Sequence, residues 1–175
     1  IWVSGTVGDA RLTLAALRHE IGLPQNDLEI IQARMHQPSP RVELGISLRA
    51  IATSAIDLSD GLLGDLKHIL ERSKKDAEVW LDQIPKSTTL LKQSKDLQNQ
   101  FAAAGGDDYE LCFTAPSNKR DVIQKISRDL KLPLTPIGII KPAQKSSPNI
   151  VLKSNGGQLS QEQVNTLLRS FDHFA

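Results

Sequence analysis

The chain has 175 residues, which is one domain by the usual allowance of roughly 100 to 200 residues, and its 39% hydrophobic and 23% charged content is that of a folded protein. Its 21 basic and 20 acidic residues leave a formal net charge of +1, a field that argues against nucleic acid or a membrane surface as partner. Cys112 is the single cysteine, so an internal disulfide and a multi-cysteine zinc cluster are excluded; with no apolar run near the ~20 residues of a bilayer span, the expected setting is cytoplasmic.

Ile1-Trp2-Val3 is apolar and β-prone and lacks an initiator methionine, so it reads as a strand in a piece cut from something longer. Ser4-Gly5-Thr6-Val7-Gly8-Asp9 is a glycine-bearing loop, and residues 9–21 repeat Ala10, Leu14, Leu17 and Ile21 at helical spacing. The loop has two readings, a phosphate cradle or a plain turn, since it matches neither a P-loop nor a full dinucleotide fingerprint. After the Pro38-Ser39-Pro40 break, residues 41–53 read as a helix and residues 54–58 as a strand. A helix follows with Leu62, Leu66, Ile69 and Leu70 as its buried stripe and Ser59 or Asp60 as its cap. Residues 77–81 read as a core strand, 90–101 as a helix, and 109–114 as a half-buried strand by the alternation of Tyr109, Leu111 and Phe113 with Glu110, Cys112 and Thr114. A helix over 117–130 and strands over 134–140 and 150–153 complete the pattern, with turn-rich connections at 141–149 and 154–157. The expected fold class is α/β, a mixed β-sheet with packed helices, in a single domain over residues 1–175.

Two segments concentrate carboxylates beside glycine. In Asp57-Leu58-Ser59-Asp60-Gly61, Asp57 closes a strand and Asp60 opens a helix, so both acids can reach the same end of the sheet. Hard oxygen ligands beside a helix N-terminus suit Mg²⁺ and a phosphate, and the alternative is simple capping of the helix. In Gly105-Gly106-Asp107-Asp108-Tyr109-Glu110-Leu111 three acids fall within four residues at a strand entrance, either a ligand site or a solvated turn. His19, His36, His68 and His173 lack metal-ligand spacing. Phe171-Asp172-His173-Phe174 places two aromatics at the C-terminal end, for packing or for a ligand.

Together the opening loop, Ala55-Ile56-Asp57-Leu58-Ser59-Asp60-Gly61-Leu62, the Gly105–Leu111 segment and Phe171-Asp172-His173-Phe174 resemble the thiamine-monophosphate kinases. The resemblance spans essentially the whole chain and corresponds to the C-terminal half of that family. It implies the C-terminal domain fold of aminoimidazole ribonucleotide synthetase-like proteins and a kinase, a transferase of thiamine diphosphate biosynthesis that uses ATP and Mg²⁺ to phosphorylate thiamine phosphate. It further implies Asp57 and Asp60 as catalytic Mg²⁺ ligands, Ser59 as an ATP contact, Asp107 or Asp108 facing thiamine phosphate, and Phe171 as an aromatic neighbour of the substrate. The N-terminal ATP-binding domain of the family is absent from this sequence, so the isolated chain is expected to be inactive and the whole protein a homodimer. The alternatives are another ATP-dependent enzyme of the same superfamily, or a non-catalytic module that binds thiamine phosphate or mediates assembly. Asp107 stands where the family often has Glu.

Overall fold

The structure is a computed structural model that describes residues 1–169. In chain order it contains β1 (Trp2–Ser4), α1 (Asp9–Leu17), α2 (Gln25–His36), α3 (Val42–Ser47), β2 (Ser54–Asp57), α4 (Leu62–Ser73), β3 (Lys75–Trp80), α5 (Lys95–Ala104) and β4 (Leu111–Thr114). Then come α6 (Arg120–Asp129), β5 (Leu134–Pro136), β6 (Gly138–Pro142), β7 (Ile150–Ser154), β8 (Gly157–Gln158) and α7 (Gln161–Arg169). The α/β class holds, and the strands divide between two four-stranded sheets, ordered β2-β4-β1-β5 and β6-β3-β7-β8. The first is antiparallel throughout, whereas the second joins β3 to β6 and β7 to β8 antiparallel and β3 to β7 parallel.

Residues 134–140, read from the sequence as one strand, are two strands in different sheets. Ile137 is the pivot: its amide donates to Ile1 O at 3.0 Å and its carbonyl accepts from Trp80 N at 2.8 Å, so one buried residue ties the sheets together. The strand over 109–114 is also different from expectation. It begins at Leu111, and Cys112, Phe113 and Thr114 are all buried, because β4 lies between β2 and β1 with apolar layers on both faces.

Those layers follow from strand alternation. Trp2, Phe113 and Leu134 face Leu44 and Leu48 of the α3 region and Ile123 of α6, and the Trp2 and Phe113 rings stack with centroids 6.2 Å apart. Val3 and Cys112, on the opposite face, join Leu12, Leu62, Leu66 and Leu70 of the helices and Ala77, Val79 and Leu152 of the second sheet in the larger core. The stripe expected on α4 is present: Leu62, Leu63, Leu66, Ile69 and Leu70 are buried, and the helix stops at Lys74 in the left-handed conformation.

The helix read over 90–101 is a short 3-10 turn at Leu90–Lys92 followed by α5, whose cap is Ser94 accepting from Leu97 N. The helices expected over 9–21 and 41–53 are shorter, as α1 and α3, and α2 and α7 are helices beyond those expected. α2 buries only Asp27 and Ile31, so its apolar periodicity is faint.

Candidate functional site

The two acid-rich segments are separated by more than forty residues in sequence and run side by side in space. Asp57 is paired with Leu111 at the end of the β2–β4 ladder. Beyond it the backbones stay hydrogen-bonded: Leu58 N donates to Glu110 O, Tyr109 N to Leu58 O and Asp107 N to Ser59 O, each at 2.9 Å. The turn into α4 closes against the end of α5. Gly61 has φ +112°, and a Cβ there would lie 3.1 Å from the Ala104 backbone, so both the conformation and the space call for glycine.

Burial divides the acids into two sets. Asp57, Asp60 and Asp107 are exposed, Ser59 is half-buried, and among the described residues no hydrogen-bond or ion-pair partner engages these four side chains. Asp65, Asp108 and Glu110 are buried and fully committed to the fold.

Asp65 is the true organiser of the first segment. Its Oδ2 accepts from Ser59 N, Asp60 N and Gly61 N at 3.0, 3.1 and 3.1 Å. Burial raises its pKa, opposed by the three amides and reinforced by the charge of Asp60. The helix cap expected from Ser59 or Asp60 is therefore absent: Gly61 occupies the N-cap position without a side-chain bond, and a residue inside the helix ties the turn down from behind. The sequence did carry a signal, since Asp65 interrupts the apolar face formed by Leu62, Leu66 and Ile69.

Asp108 and Asp107 part company. Asp108 is turned inward, with Oδ2 accepting from Gly8 N at 2.7 Å and Oδ1 from Ala10 N at 3.4 Å, so it serves the start of α1 and not the surface. Burial pushes its carboxyl up to about 8, against the lowering effect of the Gly8 amide. Asp108 thus fills the helix N-terminus that a phosphate cradle at the Gly5–Gly8 loop would need. The neighbouring amides are also taken, Gly5 N by Pro133 O and Val7 N by Pro85 O, which favours the plain-turn reading of that loop. Asp9, buried beside it, accepts from Ser87 Oγ and Thr6 Oγ1, and burial raises its pKa.

Glu110 holds the loop from the other side. Its carboxylate accepts from Ser4 Oγ at 2.5 Å, from Arg34 Nη2 at 2.7 Å, and from Arg41 through Nε at 2.7 Å and Nη2 at 2.5 Å. Arg34 Nη2 also reaches Thr6 O at 2.9 Å, so α2 and the start of α3 are tied to the glycine loop. A Cβ on Gly5 would fall 2.2 Å from Glu110 Oε1; the loop has glycine there because the carboxylate occupies that space. Neither arginine was singled out from the sequence, because residues distant along the chain give no local sign that they share one carboxylate.

Asp107 and Tyr109 both have positive φ, +64° and +50°, on either side of inward-facing Asp108. The two outward side chains, Asp107 and Tyr109, therefore alternate along the backbone with two inward anchors, Asp108 and Glu110. Phe171 lies outside the described residues. Among those described, no group of three or more His, Cys, Asp and Glu side chains is clustered to hold a metal ion. Asp57 and Asp60 both stand exposed beside the start of α4.

No protein-family model matches the chain. A thiamine-monophosphate kinase of Haemophilus influenzae is 45% identical over 141 residues, covering 80% of this chain and 43% of the relative. The crystal structure of the Stenotrophomonas maltophilia thiamine-monophosphate kinase superposes with a TM-score of 0.78 at 42% identity, over 85% of this chain and 48% of that one. A structure of AaThiL complexed with AMPPCP and TMP superposes with a TM-score of 0.70 at 26% identity, over 91% of this chain and 48% of that one. Escherichia coli HypE, at 15% identity and a TM-score of 0.65, shares the fold alone. The chain spans about half the length of the relatives it matches. By sequence and by fold, the chain is similar to the thiamine-monophosphate kinases, as a domain like their C-terminal one, and has the aminoimidazole ribonucleotide synthetase-like fold.

Proposed function

We propose that this chain is the substrate-side domain of an enzyme that transfers the γ-phosphoryl group of ATP to a phosphate oxygen of thiamine phosphate, yielding ADP and thiamine diphosphate. The observation that carries this reading is the rim made by two hydrogen-bonded loops, on which Asp57, Asp60 and Asp107 stand exposed and uncommitted beside Ser59. The named ligands of AaThiL, AMPPCP and TMP, support the same pair of substrates.

Donor and acceptor are both anions, so the enzyme must chiefly position them and offset their repulsion. Asp57 and Asp60 would hold Mg²⁺, and when bound it supplies positive charge to the transferring group. The Ser59 hydroxyl would contact ATP and the Asp107 carboxylate the thiamine phosphate. Asp65, Asp108 and Glu110 keep these groups in place. Residues 1–175 form one domain in this reading, the ATP-binding half lies elsewhere in a longer cytoplasmic protein that pairs as a homodimer, and the isolated chain is inactive. Among the described residues no helix is long and apolar enough to cross a membrane.

The test is ATP consumption by the intact enzyme carrying this chain, with thiamine phosphate and Mg²⁺ present. Asp57→Asn and Asp60→Asn are each expected to lower kcat by about 10²-fold or more. Turnover unchanged in both variants removes the metal role, and a failure of the unmutated enzyme to turn over thiamine phosphate removes the substrate assignment.

A further inference from the structure

Tyr109 is the exposed aromatic side chain among the described residues: Trp2, Phe101 and Phe113 are buried, Trp80 is half-buried, and Tyr109 retains 41% of its accessible surface. Among the described residues its ring stacks on no other ring, its hydroxyl meets no hydrogen-bond partner, and it belongs to neither apolar core. Its backbone is nevertheless held at φ +50°, a conformation that costs an aromatic residue free energy. The fold enforces that cost through the bond from Tyr109 N to Leu58 O and through buried Asp108 and Glu110 on either side. A large aromatic residue is thus held by its backbone at the surface, outside both apolar cores formed by the described residues. It stands on the loop that carries Asp107, alongside the backbone of the Asp57–Asp60 segment.

We propose that Tyr109 is a substrate-binding residue whose ring contacts the cationic thiazolium ring of thiamine phosphate. The inference rests on the function proposed above and adds to it a residue for the heteroaromatic end of the acceptor. Thiazolium is a flat, permanently charged ring. An aromatic face attracts such a cation through its quadrupole, and the exposed carboxylate of Asp107 on the same loop adds attraction of the same sign. The phosphate end of the acceptor is left to the groups that handle phosphoryl transfer. Because the loop is already held in place, little ordering entropy is lost when the ring binds.

The test uses the intact enzyme carrying this chain and measures KM separately for thiamine phosphate and ATP. Tyr109→Leu, which keeps an apolar surface group and removes the π face, is expected to raise the thiamine-phosphate KM by about 3- to 30-fold and to leave the ATP KM and the melting temperature unaltered. Tyr109→Phe is expected to rescue the thiamine-phosphate KM. The inference is overturned if Tyr109→Leu keeps the thiamine-phosphate KM within twofold of the parent, if Phe fails to rescue it, or if the ATP KM or the melting temperature shifts as much. An enzyme that turns over no thiamine phosphate even with Tyr109 in place overturns the function itself, which is a separate outcome.

Discussion

Asp107 and Asp108 are neighbours with the same side chain, and their surroundings give them opposite tasks. Asp107 meets solvent at the rim, whereas Asp108 is buried against the amides of Gly8 and Ala10, with its carboxyl pushed up to about 8. A buried acid whose folded pKa exceeds its unfolded value of about 4 takes up a proton on folding. Its contribution to stability is full below about pH 4 and fades as the pH rises through 8. Asparagine imitates the neutral acid: its oxygen can accept from Gly8 N, and its amide occupies the position of the weakly engaged Oδ1. Asp108→Asn is therefore expected to unfold at a temperature close to the parent near pH 4 and at a higher temperature than the parent at pH 9, reflecting a stability difference on the order of 1 kcal/mol or more. Thermal melts across that range check this; a difference that narrows as the pH rises would refute the assignment. From sequence alone these two acids were alternatives for one substrate contact, because burial depends on where α1 begins.

At the scale of elements, the entrance to α4 shows how a helix can be anchored from within. The turn at residues 58–61 lacks a side-chain cap, and Asp65, one turn into the helix, accepts three amides in its place. Removing that carboxylate leaves amides beside a buried surface without acceptors, at about 1 to 3 kcal/mol for an unsatisfied buried group. Asp65→Ala is expected to lose about 2 kcal/mol or more in urea unfolding, and under the metal role proposed for Asp57 and Asp60 the intact enzyme carrying it should also show weakened Mg²⁺ dependence. Retained stability in the alanine variant would show that the three bonds contribute little. The apolar stripe of α4 was legible because 3.6-residue periodicity is a local property. The source of its cap was not, because the residues at the turn have the chemistry of N-caps and the geometry gave the work to another aspartate.

Across the whole molecule the two sheets share one core, and Cys112 lies in the middle of it. β4 is flanked by β2 and β1, Cys112 is fully buried, and burial pushes its thiol up to about 12. The thiolate is the reactive form, so the folded protein should resist thiol reagents at pH 8. Trp2 belongs to β1 in the first sheet and Trp80 to β3 in the second. If the sheets unfold as one unit, Cys112 labelling and tryptophan fluorescence will share a single urea midpoint. Labelling well before the fluorescence change would mean that the first sheet opens independently.

The local sequence was enough for the α/β class, the strand-to-helix step at Asp57–Leu62 and the two carboxylate segments, because propensity, periodicity and residue chemistry act over a few neighbours. Four ordered motifs were enough for the family resemblance. The partition of strands into two sheets, the switch at Ile137, the grip of Arg34 and Arg41 on Glu110, and the separation of outward Asp107 and Tyr109 from inward Asp108 were decided by the tertiary fold. Each depends on contacts between residues far apart in the chain, and burial, which sets whether a carboxylate waits for a ligand or holds the protein together, exists only once those contacts form.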